Sequence, residues 1–212
     1  ELEFTQRLEL ANSGSNEHGM VSISYNVKNN GSDDVKVEAR ILLDSAIGSK
    51  DFAYYELPDT SYNSDFIEKE CVIKANEIPA TFYAYDDMKN PSTTASTVIS
   101  SKGMLKQIAF AHWNSIAATD FDFAPNESLN FTNDGNDEFG TADSAMAMYY
   151  DLGTVSGNKE GMVNTYYGVY SNEKVKPETD TVAFNMTAPA TLSLAADGKS
   201  YISNCNRDSS GS

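Results

Sequence analysis

Between residues 20 and 28, Val21, Ile23, Tyr25 and Val27 alternate with Ser22, Ser24, Asn26 and Lys28. Successive side chains of an extended strand point to opposite faces, so this period of two predicts a strand with one buried face. Asn29, Asn30, Gly31 and Ser32 follow, and Asn and Gly are residue types that tolerate positive φ in turns. Residues 34–43 then return with Val35, Val37, Ala39 and Ile41 on one face. The two segments predict an antiparallel hairpin.

The same signal recurs along the chain. Residues 2–10 predict a first strand, and shorter ones are expected near 70–74, over 79–86 and over 106–113. Residues 144–151 set Met146, Met148 and Tyr150 opposite Ala145, Ala147 and Tyr149, with 162–170 returning as their partner strand. Two more short strands are expected at 181–186 and 191–194. The stretch 90–97 (NPSTTAST) has loop composition. No 3.6-residue apolar stripe competes. The expected fold is all-β, a single antiparallel β-sandwich of about ten or more strands. A closed barrel is the alternative. At 212 residues with 40% apolar content, one domain is expected over residues 1–206, with 10 Phe, 12 Tyr and one Trp as its large core units. Residues 207–212 (RDSSGS) are expected to be a linker tail.

The net charge of −16 sets the chemistry of partners. A surface this acidic repels phosphate backbones and anionic lipid heads, which excludes nucleic acid and membrane-surface partners. No apolar run is long enough for membrane insertion, and Glu1 opens directly into a strand pattern, as expected of an excerpt from a longer protein. Two cysteines, Cys71 and Cys205, are too few for a disulfide scaffold or a four-cysteine zinc site. They form one disulfide or remain two free thiols.

Nucleophilic catalysis lacks its parts. The two histidines are His18, expected in a turn, and His112, expected in the core beside Ile108 and Phe110. There is no G-x-S-x-G elbow. Calcium takes oxygen ligands, and Asp134, Asn136 and Asp137 are calcium candidates in an Asn/Asp/Gly-rich loop, although their spacing differs from D-x-[DN]-x-[DN]-G. The competing account of this stretch is a hydrophilic connection. No other cofactor is implied.

The stretch 39–57, ARILLDSAIGSKDFAYYEL, concentrates acids and aromatics on one connection. Sugar rings offer an apolar face for aromatic stacking and hydroxyls for carboxylates. On that chemistry Tyr54, Tyr55, Tyr85 and Trp113 are candidate stacking residues, and Asp44, Asp51, Asp86 and Asp87 candidate hydroxyl partners. Trp113 serves equally well as a core residue over the small Ala109 and Ala111. Tyr149 and Tyr167 are expected to be ordinary core tyrosines.

The pattern Arg-x-x-Leu-Asp, a small-residue turn, Gly and Asp in this stretch, with AFAHW, DSAMAMYYD and NTYYGVY further on, resembles secreted bacterial cell-surface β-sandwich domains. Within these the chain is similar to the carbohydrate-binding domains of the starch-adherence (amylosome) proteins of gut Firmicutes. That resemblance implies a non-catalytic module, extracellular and cell-surface associated. It would bind polysaccharide of the starch-type α-glucan (maltooligosaccharide) class, alongside other domains of a larger surface protein. It carries over Asp44 and Asp51 alone, as loop-shaping or ligand acids. The alternative is a structural or adhesive spacer domain with no small ligand, and after it a glycoside-active enzyme.

Overall fold

The computed structural model describes residues 1–13, 16–58, 60, 66–169, 192–194 and 201–203. In chain order its strands are β1 (Leu2–Ser13), β2 (Asn16–Asn29), β3 (Val35–Asp44), β4 (Tyr54–Glu56), β5 (Cys71–Lys74) and β6 (Thr81–Tyr85). They continue with β7 (Thr94–Ile99), β8 (Leu105–Ala111), β9 (Ala145–Val155), β10 (Glu160–Gly168), β11 (Leu192–Leu194) and β12 (Tyr201–Ser203). One five-residue helix, α1 (Trp113–Ala117), follows β8.

Ten strands make two antiparallel sheets. The larger has the order β1-β2-β10-β7-β6-β4 and the smaller β3-β9-β8-β5, while β11 and β12 pair only with each other. Apolar faces of both sheets meet in one core. Ile23, Tyr55, Phe82, Ile99 and Val163 come from the larger sheet, and Ile41, Ile73, Phe110, Met148 and Tyr150 from the smaller. This is the expected all-β sandwich, built by alternation that sends every second side chain inward. A second apolar cluster lies on the far side of the smaller sheet. There Ala109, Ala111, Ala145 and Ala147 form a low floor beneath Ile116, Trp113 and Phe123.

The two expected hairpins are corrected. β2 pairs with β1 and β10, and β3 pairs with β9, so residues 29–34 cross between sheets rather than turn within one. β9 and β10 are likewise in different sheets. Alternation fixes which face of a strand is buried. It is equally satisfied by two strands side by side or by two strands facing each other across a core.

The two crossings lie against each other. Asn29, 1% exposed, donates through its side-chain amide to the carbonyls of Asp33 (2.7 Å) and Val155 (2.9 Å) and accepts from the Gly31 N–H (3.0 Å). Its own backbone accepts from Asn158 and donates to Lys159. Gly157 sits so close to the other crossing that an added β-carbon would overlap the Ser32 carbonyl.

Three smaller expectations also change. Residues 94–97, expected in a loop, lie in β7, a central strand paired with both β10 and β6. Its Ser/Thr composition hid it, since a strand flanked on both sides needs no strongly apolar pattern to satisfy its backbone. The 106–113 strand ends at Ala111, and Trp113 opens α1. The backbone of His18 lies in β2 rather than in a turn. The strand expected at 181–186, Cys205 and the tail 207–212 lie outside the described residues; among the described residues Cys71 is a free thiol.

Candidate functional site

One end of the sandwich collects the acids. β3 ends at Asp44, and the chain then makes a tight turn in which Ile47 and Lys50 bridge each other and Gly48 takes φ +63°. Ser144, fully buried, ties this turn to the start of β9. Its N–H donates to the Asp51 carbonyl (3.1 Å), its carbonyl accepts from Ser45 (3.0 Å) and its hydroxyl accepts from Ala53 (2.9 Å).

That knot draws together Asp44, Asp51 and Asp143. Each offers one carboxylate oxygen, and the three oxygens lie within 4.8 Å of one another. No lysine or arginine forms an ion pair with any of the three among the described residues. Partial burial, then the charges of Asp51 and Asp44, push the Asp143 carboxyl up to about 6. Burial followed by Asp51 raises Asp44 as well. Three hard oxygens at this spacing suit a divalent cation of the calcium type. Asp143 was not foreseen from sequence. It is brought in by the β3–β9 pairing that sets Asp44 opposite Ala145.

Beside this end, an aromatic ridge runs along the outward side of β4 and β6. Ring centroids follow one another from Phe52 to Tyr54 (5.6 Å), Tyr54 to Phe66 (6.3 Å), Phe66 to Tyr85 (5.7 Å) and Tyr85 to Tyr83 (6.3 Å). The first three contacts are edge-to-face, a favoured aromatic geometry. Tyr54, Phe66, Tyr83 and Tyr85 are half-buried, each leaving part of its ring to solvent. The Tyr85 hydroxyl donates to Glu56 at 2.6 Å, which fixes the ring. Burial and the Glu56 carboxylate hold that phenol above its ordinary value. Lys50 lies 5.3 Å from the Phe52 ring centroid. An added β-carbon on Gly48 would touch Asp86 at 3.4 Å, so the acidic turn, the 86–93 loop and the ridge adjoin. Phe66 and Glu56 were missed at the sequence level. Neither belongs to a motif; pairing of β4 with β6 brings Glu56 beside Tyr85's strand.

Other expectations are corrected. Tyr55 cannot stack on a ligand, because it is 0% exposed and packs on Phe110 at 4.6 Å and Phe131 at 6.1 Å. It faces the core because Tyr54 and Tyr55 are adjacent in a strand and must point opposite ways. Trp113 lies away from the ridge, packed on the alanine floor of the smaller sheet. Asp86 accepts from Ser92 N (2.9 Å), Thr93 N (3.1 Å) and the Ser92 hydroxyl. Asp87 accepts from Lys89 N and Asn90 N. These bonds hold both carboxyls below their usual range, the Ser92 hydroxyl acting first on Asp86 and Asn90 N–H first on Asp87. Asp86 and Asp87 thus shape their own loop.

The 133–138 loop is also largely self-satisfied. Asp134 accepts from Ala142 N, and the Asn136 side chain bonds Asn133, Thr141 and Phe139 backbone groups, leaving Asp137 at its rim. His112 is fully buried. Its Nδ1 accepts from Asn114 N–H (3.2 Å), its Nε2 donates to the Thr141 carbonyl (3.0 Å), and its ring stacks on Phe139. It caps α1, and both of its ring nitrogens are taken up by backbone groups.

No protein-family model matches the chain, and no curated protein sequence matches it. Among solved structures, the chain is similar to a family 3a carbohydrate-binding module from the cipA scaffolding of Clostridium thermocellum. The TM-score is 0.31 at 8% identity, over 79% of this chain and 75% of that one. No helix among the described residues is long and apolar enough to cross a membrane.

Proposed function

We propose that this chain is a non-catalytic carbohydrate-binding module of an extracellular, cell-surface protein, with starch-type α-glucan as its ligand. The single observation that carries the reading is the half-exposed succession Tyr54, Phe66, Tyr85 and Tyr83, with Glu56 fixed beside it. Rings held by edge-to-face neighbours present apolar area at little entropic cost, and Glu56 and Lys50 supply hydroxyl partners at the margin. The ligand class and the location come from the resemblance of the 39–57 stretch. The acidic surface disfavours nucleic acid and anionic membranes as partners.

The calcium expectation moves to Asp44, Asp51 and Asp143. A bound cation there would neutralise three like charges and lock the turn that adjoins the ridge. Asp44 and Asp51 then shape the loop and do not touch sugar.

The test is calorimetric titration with maltoheptaose, with a β-linked glucan oligomer as control and product analysis after incubation. Heat with the α-glucan alone and unchanged oligosaccharides support the proposal. Altered products would make the chain an enzyme. Silence with both ligands supports the spacer reading, which is favoured by the burial of Tyr55 and the packing of Trp113 on the smaller sheet.

A further inference from the structure

The larger sheet overhangs the smaller one. β1 is its edge strand, twelve residues long, and no other described strand pairs with it besides β2. Phe4, Leu8 and Leu10 sit opposite Val27, Ile23 and Val21, on the face that lines the core further along the sheet. The cluster that Val37 and Val155 of the smaller sheet form with Val27 takes in Leu2 of β1 but none of these three. They remain 64%, 61% and 66% exposed, the most exposed large apolar residues among those described. A long edge strand with an apolar face and no proline is a template for pairing with another strand.

The charges on its other face select the partner. Arg7 and Glu9 form an exposed ion pair at 2.7 Å. In an antiparallel pairing of β1 with a second copy of itself, each centre of symmetry sets different residues opposite each other. A centre at Gln6 opposes Glu3 to Glu9, and a centre at Arg7 opposes Arg7 to itself. A centre at Thr5 opposes Glu3 to Arg7 but also Glu1 to Glu9. A centre at Leu8 opposes Arg7 to Glu9 twice, with no like pair between Thr5 and Ala11. Like charges directly opposite destabilise a ladder and opposite charges support it. In this last register Leu8 meets Leu8, and Leu10 lies diagonal to Leu8 and Phe4 of the other copy.

We infer that β1 is a homodimer interface, joining two larger sheets edge to edge about a twofold axis at Leu8. The interface is isologous, so both copies satisfy the same contacts and assembly stops at two. The net charge of −16 opposes the approach, which makes the dimer concentration-dependent and dependent on the two Arg7–Glu9 crossings.

The experiment is sedimentation velocity over a concentration series of the whole chain and three variants, at physiological salt. The native chain is expected to shift from monomer to dimer as concentration rises. Arg7→Glu places like charges opposite twice and is expected to weaken dimerisation by roughly tenfold or more. Arg7→Glu with Glu9→Arg restores the crossings and is expected to return most of that loss. Leu8→Lys should abolish the dimer. All of these side chains are exposed, and unchanged circular dichroism confirms that each variant folds. A chain that stays monomeric throughout overturns the inference and leaves residues outside the described set as the cover for this face. A dimer indifferent to Arg7→Glu, or not rescued by the double exchange, overturns it as well.

Discussion

The side-chain amide of Asn29 and the carbonyl of Val155, 126 positions apart in sequence, are joined by a buried hydrogen bond of 2.9 Å. It fastens the β2–β3 crossing to the β9–β10 crossing. Asn29→Ala removes this bond and the part-buried one to Asp33, leaving the buried Val155 carbonyl without its donor. The expected loss is roughly 2–4 kcal/mol, read from the midpoint of urea unfolding. Gly157→Ala is expected to be at least as damaging, because its β-carbon would enter the Ser32 backbone, next to Gly31, which is bonded to both Asn29 and Asn158.

Adjacent tyrosines of β4 should behave oppositely. Tyr55→Ala empties a fully buried site, with a loss of roughly 3–5 kcal/mol in thermal or urea unfolding. Tyr54→Ala and Tyr85→Ala should leave the fold nearly as stable. Each should weaken maltoheptaose binding by roughly two- to tenfold in calorimetry. Trp113→Ala should leave that affinity unchanged and reduce stability, because it packs on the alanine floor.

The three carboxylates predict a pH dependence in chelator-treated protein. The Asp143 carboxyl lies at about 6 in the fold, against 3.8 without it. A carboxyl raised by folding binds its proton more tightly in the native state. Its stabilising effect is therefore complete below about pH 4 and lost as pH rises through about 6. The melting temperature difference between Asp143→Asn and the native chain should grow in favour of the variant from pH 4 to pH 7. Taking the difference cancels the opposite trend from Asp86, Asp87 and Asp151, whose carboxyls the fold lowers.

Calcium should reverse the cost at neutral pH. Added to chelator-treated protein, it is expected to raise the melting temperature, since a ligand that binds only the folded state stabilises it by mass action. Asp51→Asn or Asp143→Asn should remove most of that rise. Asp137→Asn should not alter it. A rise that survives both triad variants and disappears in Asp137→Asn would return the ion to the 133–138 loop.

Most strands were legible because alternation is a local property. Val21, Ile23 and Val27 in β2, and Met146, Met148 and Tyr150 in β9, announce their inward face in any topology. The partners of those strands were not legible, since a turn such as 29–34 serves a hairpin and a crossing equally. β7 was hidden for a related reason: its pairing on both sides, rather than its Ser/Thr side chains, defines it. At the site, the same limit applies. Tyr54 and Tyr85 were visible as exposed-strand aromatics, and Asp44 and Asp51 as acids around a glycine turn. Their companions Phe66, Glu56 and Asp143 are brought in by pairings between separate stretches: Tyr55 with Ile67, Glu56 with Tyr83, and Asp44 with Ala145. Tyr55 carries no such signal, because β4 is only three residues long, too short for its period to show in the sequence.

The position of β10 between β2 and β7 bears on how the chain is made. During synthesis β1 and β2 can join as soon as they appear, and β4, β6 and β7 can assemble later. Until Gly168 has emerged, these remain two separate half-sheets, each with an unpaired border facing the gap that β10 fills. The nascent chain thus carries both of these borders unpaired until β10 has emerged. Truncation ahead of Glu160 removes β10 and would leave that state permanent, so versions shortened in this way should aggregate instead of folding into a smaller sandwich.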